Sequence, residues 1–127
     1  MFGLRTDAQS SAMPMKRQSR ATYESVRRIA LVFPRVQEGT WHGLQVLKVK
    51  GKLFVSLRED LDSIAIRMPL DLRDEMIPAN PDTYYITDHY RDYPWMLVRL
   101  SKVRADALPE LLQIAYRAAS ASKGRMI

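Results

Sequence analysis

Cysteine is missing from all 127 residues of the chain. That absence excludes disulfide frameworks, thiolate zinc centres and cysteine nucleophiles together. It is compatible with a reducing compartment. No apolar run approaches the roughly 18 residues that a membrane span needs. Residues 1–20 also lack the continuous apolar core of a signal peptide, so a cytoplasmic protein without membrane association is expected. Glycine is sparse, at five residues. No glycine-rich loop follows a strand to open a helix, which leaves no dinucleotide or P-loop fingerprint. There is no internal repeat. Only two histidines occur, His42 and His89. With a carboxylate such as Glu38 or Asp88 they would make at most a loose ligand set, and no tight metal spacing is present. Ser56 and Ser63 have no base beside them, and no carboxylate pair forms a recognisable motif. No catalytic residue, metal or cofactor is therefore expected, and the enzyme class ranks last.

What the chain does contain is ordinary for one globular domain. Apolar residues make up 46% and charged residues 27%, enough to bury a core without staples. The formal net charge of +6 is unevenly spread. Residues 1–35 carry seven basic against two acidic side chains, whereas residues 36–127 carry thirteen against twelve. A nearly neutral domain with a basic end is a weaker nucleic-acid signal than the high isoelectric point alone suggests. Residues 1–19 show no periodicity and are expected to be a disordered tail. Residues 20–122 would be the domain, and residues 123–127 a frayed end.

The patterning predicts helices and short strands in alternation. From Ala21, Thr22 is placed to cap a helix with Val26, Ile29, Ala30 and Phe33 on one face, stopped by Pro34. Strands are expected over residues 36–41 and 45–50. In the second, Val46, Lys48 and Lys50 point one way, and Leu47 and Val49 the other. Gly51-Lys52 reads as a hairpin turn leading into a strand over 53–57. A strand over 63–68 puts Ile64 and Ile66 in the core. Residues 69–79 return to helical spacing, with acidic residues early and Pro78 and Pro81 at the end. Residues 83–87 read as a strand, 88–94 as a turn and 95–100 as an apolar strand. In that last strand Trp95, Leu97 and Arg99 share one side, and Met96, Val98 and Leu100 the other. Residues 105–119 form the closing amphipathic helix, with Pro109 in its first turn. The resulting class is α+β, an antiparallel β-sheet with flanking helices in the order α-β-β-β-β-α-β-β-α.

Three segments carry a family resemblance: FPRVQEGTWHG (33–43), LKVKGKLFVSL (47–57) and NPDTYYITDHYRDYPWMLVRL (80–100). Together they resemble the MmcQ/YjbR family of small bacterial proteins, over about residues 20–120. The resemblance implies an α+β fold akin to CyaY-like and secretion-chaperone-like proteins. Members are often labelled DNA-binding, and one lineage is linked by name to drug resistance. Two positions depart from the family pattern. Asp92 stands where glycine is common, and His42 precedes Gly43 where an aromatic residue is common.

The candidate site residues follow from these readings. His89, Tyr90, Arg91, Tyr93, Trp95 and Arg99 concentrate aromatic faces and cations in one connection, as a stacking or phosphate-binding surface requires. Strand alternation and turn rigidity explain each of them singly just as well. Lys48, Lys50 and Lys52, with Arg58, form a basic stripe or else a solvated strand face that blunts edge pairing. The leading expectation is a non-enzymatic binding module that engages DNA weakly through backbone charge. The first alternative is a small planar ligand held by Tyr84, His89, Tyr93 and Trp95 in a pocket between sheet and helix. The second alternative is a protein-interaction module.

Overall fold

The computed structural model describes residues 21–121. The expected tail (1–19) and the frayed end (123–127) lie outside them. Helix α1 (Tyr23–Ala30) opens on a reciprocal cap. The Thr22 hydroxyl accepts from the Ser25 N–H at 3.1 Å, and the Ser25 hydroxyl oxygen accepts from the Thr22 N–H at 2.7 Å. This satisfies two of the donors that a helix start leaves orphaned.

Two hairpins follow: β1 (Val36–Trp41) with β2 (Leu44–Val49), and β2 with β3 (Lys52–Leu57). Both turns contain two residues, His42-Gly43 and Lys50-Gly51, and all four have positive φ. That is the mirror-image turn whose twist matches antiparallel strands. The second turn lies one residue earlier than Gly51-Lys52, so Lys50 belongs to the turn and Lys52 to β3. Glycine's freedom at φ > 0 set the position, and the neighbouring lysine was assigned to the wrong side.

β4 (Ser63–Arg67), α2 (Leu70–Ala79), β5 (Tyr84–Tyr85), β6 (Trp95–Arg99) and α3 (Leu108–Ala121) complete the chain. The sheet runs β1-β2-β3-β4-β6-β5, with every neighbouring pair antiparallel. The predicted class and element order hold. Two lengths differ. The strand expected over 83–87 pairs only through Tyr84–Tyr85, because the chain then turns into a short 3₁₀ segment, Asp88–Tyr90. The last helix begins as a 3₁₀ turn, Ala105–Ala107, and its α-helical part runs on to Ala121.

The core lies between one sheet face and helices α1 and α3. Val26, Leu47, Val49, Ile64, Ile66, Met96, Val98, Leu108 and Leu112 are all buried there. Burial of aliphatic side chains of this size stabilises by about 1.5–3 kcal/mol each. Arg27 of α1 fastens that helix to β1 through Glu38, with Nε–Oε1 at 2.8 Å and Nη2–Oε2 at 3.0 Å.

Strand β3 breaks its alternation. Lys48 lies opposite Leu53 and Leu47 opposite Val55, so Phe54 is an extra residue, a bulge. Phe54, Val55 and Leu57 all enter the core. Leu53 and Ser56, on either side of the bulge, are delivered to the opposite face, where both line one hollow.

Candidate functional site

None of the described helices is laid across the second face of the sheet. It carries a small cluster of Ala65, Tyr90, Trp95 and Leu97, flanked by Leu53, Tyr85 and Ile86. Its cover is the connection from Thr87 to Pro94. A single buried side chain from α2 holds that connection. Arg73, 4% exposed, donates from Nη1 to the carbonyls of Tyr90 (2.9 Å), Tyr93 (2.9 Å) and Trp95 (3.3 Å), and from Nη2 to that of Arg91 (3.0 Å). Its Nε reaches Asp74 at 3.1 Å. An irregular connection packed against protein must satisfy its carbonyls somewhere, and here one planar guanidinium satisfies four. A second buried arginine, Arg67 of β4, donates from Nε to the Leu53 carbonyl. Its guanidinium carbon lies 5.2 Å from the Trp95 ring centre, in cation–π contact. Burial lowers its pKa.

Beside this cover lies a hollow of about 360 Å³. Ser56 and Ala65, cross-strand partners on β3 and β4, contribute two small side chains to it. Trp95 and Tyr90 line it from the cover side, and Trp41, His42 and Leu44 from the first hairpin. Arg58, Glu59 and His89 add its charged and imidazole groups. Trp41 is 54% exposed and meets the His42 ring edge to face at 5.0 Å. His89 and Tyr90 meet the same way at 4.7 Å. His42 holds φ +54°, a left-handed conformation that costs a non-glycine residue about 1–2 kcal/mol. The two histidines, 47 positions apart in sequence, thus line the same hollow. The described residues contain no group of three or more side chains able to hold a metal ion.

The candidate residues separate into three groups. His89, Tyr90 and Trp95 line the hollow. Arg91 and Arg99 are engaged beside it. Arg91 pairs with Asp88, while Arg99 lies 4.0 Å from the Tyr85 ring centre and donates to the Asp82 carbonyl. The lysines stand apart: Lys48 is half-buried on β2, Lys50 is exposed in the turn, and Lys52 starts β3. Arg58 follows the other end of β3, six residues on, which is roughly 20 Å along a strand. The pocket imagined between sheet and helix is therefore corrected. Tyr84 packs toward the main core and Tyr93 lies outside the hollow, which opens on the sheet face opposite α1 and α3.

The comparisons with known proteins are consistent with this architecture. The family model described as YjbR matches residues 31–118, well over half of the chain. The chain belongs to the YjbR family. The matched segment contains both hairpins, the connection 87–94 and every residue lining the hollow. A crystal structure of a Deinococcus radiodurans protein with the domain described as DUF419 has the same fold, at a TM-score of 0.71 and 22% identity. The alignment covers 84% of this chain and 83% of that one. No curated protein matches the chain.

Sequence reasoning missed Trp41, Arg67, Arg73 and the pair Ser56 and Ala65. The last had a readable signal, since two small residues on the non-core sides of neighbouring strands leave space. Arg73 had none, because beside Asp71, Asp74 and Glu75 it reads as a solvated helix residue, and its partners are main-chain carbonyls.

Proposed function

We propose that this YjbR-family chain is a non-enzymatic binding module for a small planar aromatic compound, seated in the hollow on the sheet face opposite α1 and α3. The observation that carries the reading is the lining itself. Its volume is in the range of small-molecule sites. Two tryptophans, a tyrosine and two histidines surround a floor of small side chains, and a few polar groups sit at its edge. Aromatic walls offer π-faces to a flat ligand, and Trp41 is exposed without packing need, as a group held for contact with something else would be. None of the described helices is long and apolar enough to cross a membrane.

The test is titration of one- and two-ring planar aromatics against the full chain, read by tryptophan fluorescence and thermal shift. Binding that weakens about tenfold or more in Trp41→Ala, with unchanged melting of the free protein, supports the reading. A library without a single binder, or binding indifferent to Trp41→Ala and His89→Ala, removes it.

Weak DNA binding is the second reading, favoured by the basic excess in residues 1–35 and by the exposed Lys50 and Arg91. It would be salt-dependent and sequence-blind. Fluorescence anisotropy with labelled duplex across a salt series decides it. Deletion of residues 1–19 together with Arg91→Ala and Arg99→Ala should abolish binding, and undiminished binding would exclude these residues.

A further inference from the structure

A second hollow of about 310 Å³ adjoins the first and shares Arg58, Glu59 and Tyr90 with it. Tyr90 is 8% exposed, yet its hydroxyl makes no hydrogen bond among the described residues. The indole N–H of Trp95 is fully buried without a partner. Both donors belong to the walls of one hollow, and the unmade hydrogen bond of the fully buried indole is costly. Arg58 stands at the same boundary. Its guanidinium has two side-chain contacts: Ser56 Oγ at 3.5 Å and the neighbouring Glu59 carboxylate at 3.2 Å. Glu59 is 78% exposed and reaches Arg58 through one oxygen, a pairing that holds little energy in water. Asp60, the other acid here, is already committed to the N–H groups of Asp62 and Ser63, both at 2.9 Å, and to the Ser63 hydroxyl at 3.1 Å.

Resting on the aromatic-ligand reading above, we infer that the ligand carries an oxyanion, which takes the place of Glu59 on Arg58 and accepts from the Tyr90 hydroxyl. The guanidinium fork suits a planar carboxylate in two-point contact, and charge-assisted bonds are about twice as strong as neutral ones. Glu59 is then an internal stand-in, holding Arg58 until a better acceptor arrives. The shared chemistry is a flat ring bearing an oxyanion, either an aromatic carboxylate or a nucleotide's base and phosphate.

Calorimetry on the full chain tests this with two pairs of probes: indole-3-carboxylate against indole-3-carboxamide, and adenosine monophosphate against adenosine. The charged member of at least one pair is expected to bind about tenfold more tightly than its neutral partner. The pair with the larger ratio identifies the source of the oxyanion. Arg58→Met and Tyr90→Phe should each reduce that ratio to within about twofold while the neutral ring still binds. Glu59→Gln should raise affinity for the anion several-fold and leave the neutral probe unchanged. Equal affinity within both pairs, or a ratio that survives Arg58→Met, overturns the inference and leaves the aromatic pocket standing. Failure of all four probes, with no binder in the wider aromatic library, removes the pocket reading and this inference with it.

Discussion

The two faces of the sheet are built on opposite rules. One face is covered by α1 and α3 and filled with buried, mostly aliphatic side chains. The other is covered by the short connection 87–94 and built from Ser56, Ala65, Arg67, Tyr90, Trp95 and Leu97. A helix can bury a continuous stripe, so the first face closes over its length. An irregular connection must spend its carbonyls on Arg73 and shields only what lies beneath it. The space left open is the candidate site.

Five substitutions probe this difference, beginning with the closed face. Phe54→Ala should cost about 4 kcal/mol in denaturant unfolding, since it removes a fully buried ring and leaves a cavity. Arg73→Met should cost about 3 kcal/mol by orphaning buried carbonyls, with a change in Trp95 fluorescence as the cover loosens. If Arg73→Met proves nearly neutral, the cover is held by something other than that guanidinium. His42→Asn should stabilise by about 0.5–1 kcal/mol, because asparagine before glycine suits the positive φ of this turn. The same change should weaken aromatic binding, a trade of stability against function at one residue.

Fourth, Asp60→Asn tests the turn between β3 and β4. Burial acts to raise the Asp60 pKa, but the N–H groups of Asp62 and Ser63, the Ser63 hydroxyl and Arg58 outweigh it and hold the carboxyl below its ordinary value. A depressed folded pKa gives stability that is complete above the unfolded value near 4 and is lost as pH falls through the folded one. Urea midpoints of the variant should therefore lie below wild type at neutral pH, by less than about 1 kcal/mol, and converge with it in acid. Glu38, lowered chiefly by its hydrogen bond from Arg27, behaves in the same direction. Last, Trp41→Ala should leave stability within about 0.5 kcal/mol, since its ring is largely exposed, and show its effect in binding alone.

The closed face was readable in advance, and the open face only partly. Val26 with Ile29, Ile64 with Ile66, and Met96 with Val98 announced themselves by helical and strand spacing. The side of β6 bearing Trp95, Leu97 and Arg99 was also legible, because a strand without bulges alternates strictly. β3 was not: strict alternation would group Leu53 with Val55 and Leu57, and the bulge at Phe54 moves Leu53 to the other face beside Ser56. The segment 84–99 contributes His89, Tyr90 and Trp95, which supply only one wall of the hollow. The facing wall, Trp41 and His42, comes from a hairpin that lies more than 40 positions earlier.

By itself the sequence determined the class, the order of elements and the buried side of most of them, since periodicity, caps and turns are local and each records its own geometry. It determined the family as well, through the run of residues from the second helix to β6. Tertiary structure alone decided where the hollow is, which residues meet in it, and that Arg73 supports its cover. Those outcomes depend on sheet order, on one unpaired residue in β3 and on main-chain carbonyls brought together from a distant turn. No side-chain pattern along the chain encodes them, because the contacts exist only once the sheet has formed.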